Sequence, residues 1–154
     1  MMNADKIKLF AAKIEEQASE YKKLYSAAEK QSEILENRDL KELEAAVKSQ
    51  EELIIKISVL EKEKQDIFNS LASDAGFTKE SGCKLDDLAA GMDAESANLI
   101  RSAVEQLIDQ VKKTEAVNAK NMRMVKNYVD YVNFAADKTK ESGSTDKTNF
   151  DKTI

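Results

Sequence analysis

From Ile7 onward, apolar positions recur at alternating spacings of three and four: Ile7, Phe10, Ile14, Tyr21, Leu24, Ala28 and Leu35, with Gln17 and Gln31 in the same series. Such positions share one face of an α-helix, and a repeat near 3.5 sustained this far is the pattern of coiled-coil-like packing. It predicts a helix over about 4–36, its face widened by Tyr25 and Ile34. The pattern breaks at Asn37-Arg38-Asp39 and restarts with Leu43, Ala46, Leu53, Ile57, Leu60, Ile67 and Leu71, interrupted by Gln50 and Lys64. That is a second helix, over about 39–72. Asn37 is suited to a left-handed terminus, Asp39 to an N-cap, and Glu42 to closing a capping box on it. So short a link makes the two helices an antiparallel hairpin. Val47, Ile54 and Phe68 sit beside the second seam, and this extra width predicts a third helix packed there.

Between residues 73 and 92 the period fails, and Gly76, Gly82 and Gly91 fall in this stretch. A short helix around Leu85–Ala90 is expected to dock on the bundle end. A third long helix follows over about 93–138, with Asp93 as its N-cap. Its seam is apolar at Ile100, Val104, Leu107 and Val111, polar at Thr114, Asn118 and Asn121, then apolar again at Val125, Tyr128, Val132 and Ala135. The expected fold is all-α: an elongated antiparallel hairpin plus a third long helix in one bundle domain, 1–139. Residues 140–154 are polar and are expected to form a mobile tail.

Composition narrows the function. The chain has no Pro, 34% charged residues and only 6% aromatics, so apolar contacts should form thin seams. A net charge of −5 with interspersed Lys and Glu speaks against nucleic acid as partner. With no His there is no imidazole base, no His-ligated metal and no phosphorelay histidine. No Gly-rich phosphate loop is present, and neither cofactor nor metal is implied. The lone Cys83 fits a reducing compartment and has no base to activate it. No secretory signal and no apolar run of about 18 residues is visible, so a soluble, cytoplasmic protein is expected. Catalysis is not.

Binding is the better reading. The third helix exceeds the other two by roughly 12 residues, or ~18 Å, which should lack full cover. With the excess at its C-terminal end, it holds Met124, Val125, Tyr128, Val129, Tyr131, Val132, Phe134 and Ala135, spread over roughly 200° of the helical wheel against the ~100° one packed face needs. Met122 adjoins this stretch. Contiguous exposed apolar surface marks an interaction site. Closure on a second copy of the chain, or on the first helix after a shift, is the open alternative; the former would make this a homodimeric scaffold with no client. Asn118 and Asn121 are equally open: they set register in a seam, or they offer carboxamides to a partner's backbone.

The order of parts resembles the flagellar export chaperones of the FlgN family. The hairpin turn and second seam, Asn37-Arg38-Asp39-Leu40-Lys41-Glu42-Leu43 through Leu53-Ile54 to Leu60-Glu61-Lys62-Glu63-Lys64, are similar to that family's second helix. Val117-Asn118-Ala119-Lys120-Asn121-Met122-Arg123-Met124-Val125 resembles its most recognisable stretch, two Asn three apart followed by an apolar helix. The resemblance implies a non-enzymatic cytoplasmic chaperone, a monomer or weak homodimer. It would bind the C-terminal amphipathic helices of hook-associated (hook–filament junction) proteins and deliver them to the type III export apparatus. It also implies a binding surface toward the C-terminus, the region selected by the length argument.

Overall fold

The computed structural model describes residues 2–78 and 81–142. Four helices occur in order: α1 (Ala4–Glu36), α2 (Leu40–Asp74), the short α3 (Leu85–Ala90) and α4 (Ala94–Ser142). The all-α class predicted by the periodicity is what is found. α4 is longer than expected and takes in residues 140–142; the rest of the expected tail lies outside the described residues.

Local chemistry sets the ends. Asn3 caps α1, its Oδ1 accepting from the Asp5 amide at 2.8 Å. Asp93 does the same for α4, accepting from the Ser96 amide at 2.6 Å. That hydrogen bond holds the Asp93 carboxyl below the usual carboxylate range. α2 closes with Gly76 left-handed at φ 90°, and the Phe77 amide reaches back to Ala72's carbonyl at 2.9 Å.

The hairpin turn departs from expectation in two ways. Arg38, not Asn37, takes the left-handed conformation, at φ 55°. The Asp39 amide then donates to Ile34's carbonyl at 3.0 Å and the Arg38 amide to Leu35's at 3.1 Å, a full Schellman closure. This also overturns the capping box. The amide of Asp39, which Glu42 was to accept from, is already committed to Ile34, and the Asp39 carboxylate makes no cap bond.

α1 is the central helix. α2 runs antiparallel to it, fixed by Lys6–Asp74 and Lys13–Glu63 ion pairs, each at 2.7 Å. α4 runs parallel to it: Thr114 meets Tyr21 and Asn121 meets Ala28, each pair 93 residues apart in sequence. α2 and α4 have almost no backbone contact with one another. The expected three-way packing is therefore confined to one end. There, Ile7, Phe10 and Ile14 of α1, Leu71 of α2, Leu88 of α3 and Ile100 of α4 form one buried cluster. We call this the proximal end, and the hairpin turn marks the distal end. Phe68 joins the proximal cluster, its ring 5.9 Å from Phe10's. Val47 and Ile54, expected to be covered like Phe68, are exposed instead.

Candidate partner-binding surface

The polar middle of the α4 seam faces inward. Thr114 is buried, its hydroxyl donating to Gln110's carbonyl at 2.8 Å with the Tyr21 carbonyl 3.4 Å away. Asn121 is only 4% exposed. Its Nδ2 donates to Ala28's carbonyl at 2.9 Å, and its Oδ1 accepts from the Ser32 hydroxyl. Both ends of the carboxamide are thus engaged within the chain, in a buried position. Of the two open readings, the seam is the one this geometry fits. Asn118 is half-buried and makes no side-chain hydrogen bond among the described residues.

The apolar residues that follow fall into three groups. Tyr128 lies beside the end of α1, and the Arg38 guanidinium stands 5.9 Å from its ring centroid and 5.5 Å from that of Tyr131. Met124 and Tyr128 line a shallow cavity of about 230 Å³ with Leu35 and Leu40. Met122, Val125, Val129 and Val132 form an exposed stripe on the flank of α4 beside α2's side of the molecule, Met122 at 73%. Phe134, 60% exposed, points away from both groups, with Lys138 Nζ 5.7 Å from its ring.

Length explains less of this exposure than expected. Glu36, the last residue of α1, pairs with Lys120 at 3.0 Å and shares a cavity with Met124, Asn127 and Tyr128, while Arg38 of the turn reaches the Tyr131 ring. Only residues from about Val132 onward pass beyond the hairpin. Met122, Val125 and Val129 have α1 alongside and are exposed because α2 stands off. Not expected to be exposed was the matching surface on α2, where Val47 and Ile54, assigned to a third helix, continue a seven-residue spacing from Leu40, Ile54 at 49% exposed. Their seven-residue spacing was the available signal.

A family model described as FlgN protein matches residues 1–153. The chain belongs to the FlgN family. No curated protein and no solved structure matches it. FlgN proteins are flagellar export chaperones, a family of binding proteins rather than enzymes.

Among the described residues, no group of three or more Cys, Asp or Glu is placed to hold a metal ion. The Cys83 thiol is pushed up by burial and by the Asp87 carboxylate. Among the described residues, no helix is long and apolar enough to cross a membrane.

Proposed function

We propose that this FlgN-family chain is a cytoplasmic chaperone for hook-associated proteins. It binds their C-terminal amphipathic helices, blocks premature assembly and delivers them to the flagellar type III export apparatus. The observation that carries the reading is the exposed stripe Met122, Val125, Val129 and Val132, together with Phe134 and Tyr131. A folded monomer gains nothing from leaving this much apolar surface in water, whereas an amphipathic client helix buries its own apolar face there. The client must order as it binds, which holds affinity at a level compatible with release.

Val129→Asp and Val132→Asp test the assignment. A carboxylate in a buried apolar contact costs several kcal/mol, and about 1.4 kcal/mol is tenfold in affinity, so capture of hook-associated proteins should fall about a hundredfold or more. Thermal midpoints should barely move, because both side chains are exposed in the free protein. Ile57→Asp is the control: Ile57 is 7% exposed in the hairpin seam, and this change should unfold the protein. Melting by Val129→Asp as severe as by Ile57→Asp would make the stripe core, and undiminished capture by both variants would place the client elsewhere.

A further inference from the structure

The two exposed stripes face one another. On α2, Leu40, Val47 and Ile54 continue at sevens to Phe68; on α4, Val132 and Val125 continue at sevens to Val104. Phe68 and Val104 pack against the same proximal cluster, around the fully buried Leu88 of α3. The stripes are thus opposite walls of one groove that has α1 as its floor. At the proximal end a single short helix, α3, contributes Leu88 between the walls. From Tyr21 outward, no described element does so. Tyr21 marks the changeover: half-buried, its hydroxyl feels the charges of both Glu61 on α2 and Glu115 on α4.

The rims carry unlike charge. Glu44 and Glu51 lie three or four residues from Leu40, Val47 and Ile54, so they edge the α2 wall. Lys126 stands in the same relation to Met122 and Val129 on α4. All three are exposed and make no ion pair among the described residues. Charges placed this way beside an apolar seam select a partner helix and its orientation.

We propose that the distal groove seats one amphipathic client helix between α2 and α4, its basic flank against Glu44 and Glu51 and its acidic flank against Lys126. Leu40, Val47 and Ile54 then form a second wall of the client site. The inference rests on the client reading for the helix's identity. The width, one helix, follows from α3, which occupies the proximal part of the same space.

Two kinds of probe separate this inference from the reading beneath it. One is a set of peptides spanning the C-terminal segments of hook-associated proteins. The other is a designed helical peptide with a Leu face, Lys on one flank and Glu on the other, beside a counterpart with the flanks exchanged. Ile54→Asp should weaken both client segments and the designed peptide at least tenfold, and Val59→Asp, on the far side of α2, should not. Exchanging charge with Glu44→Lys, Glu51→Lys and Lys126→Glu together should invert the preference between the two designed peptides. Ile54→Ser is the gentler substitute should Ile54→Asp lower the thermal midpoint, with at least a threefold loss expected. Client segments that bind wild type and the Ile54 variants equally overturn the groove and leave the client reading standing. Flank-dependent binding of the designed peptide without client binding does the reverse. Absence of all binding overturns both. A wild-type dimer that Ile54→Asp dissociates in sedimentation, with no peptide present, gives the groove to a second copy and overturns the proposal.

Discussion

Polar side chains in the seams meet partners of their own kind across each helix pair. Gln31 accepts from Gln50, while buried Gln17 accepts from Lys64 at 2.9 Å and donates to Glu61 at 2.8 Å. An apolar residue tolerates sliding by a turn, but these hydrogen bonds fail if the hairpin slips, so they fix register. Lys64, 2.7 Å from Glu61, is the larger cause of that carboxyl's depressed pKa, with Gln17 adding to it. A depressed carboxyl contributes stability above the ordinary Glu range and loses it as pH falls through the folded value. Glu61→Gln should therefore lower stability at neutral pH, by well under ~1 kcal/mol because the carboxylate is half exposed, read as a lower thermal midpoint. The gap from wild type should close on acidification below that range; a gap that persists in acid would assign the loss to packing. Asn121→Ala tests the other seam. It strips partners from Ser32 and Ala28 inside a buried contact, at a cost of roughly 1–3 kcal/mol in denaturant unfolding. Client capture, measured under conditions where the variant stays folded, should not change.

Among the elements, the hairpin turn concentrates the strain. A left-handed arginine is unfavourable by about 1 kcal/mol relative to glycine, and here it is held by the Schellman hydrogen bonds and by two tyrosine rings. Arg38→Ala keeps the strain and loses the rings; Arg38→Gly loses both. The alanine variant should therefore be the less stable by about 1 kcal/mol in denaturant unfolding, and equal losses would show that the turn is not strained. This turn also shows what the sequence could and could not disclose. A hairpin was legible because the seam stops at Leu35 and restarts at Leu43. Which residue goes left-handed was not, since Asn has the better propensity and the rings that favour Arg38 lie about 90 residues away. The apolar surface of α4 was legible in the same way, from too much width for one partner. The identical signal in Val47 and Ile54 was assigned to a third helix because periodicity reports the width of a face but not the angle at which neighbours stand. Asn121 illustrates the converse: type and spacing left two roles open, and only the Ala28 carbonyl and Ser32 hydroxyl decide between them.

At the scale of the molecule, stability is unevenly distributed. Leu88, fully buried, joins α1, α2 and α4 in one cluster, so Leu88→Ala should cost about 2–5 kcal/mol, a large fraction of what a domain of this size has. Amide exchange should be slowest around Phe10, Leu71 and Ile100 and faster in distal α2 and α4, with client slowing the distal amides alone. The parallel course of α1 and α4 has one more consequence, in time rather than in energy. α1 and α2 are joined by a turn of three residues, whereas Asn121 and Ala28 are 93 residues apart. Closing the short loop comes first, and the distant pairing must wait for it. In refolding experiments, substitutions in the hairpin seam should slow folding, while Asn121→Ala should chiefly speed unfolding. On a ribosome the same order is enforced by direction of synthesis, since α4 is made after α1 and α2. The exposed apolar face of α4 is thus made only after the two helices that support it, so a nascent chain completes its scaffold before that face exists.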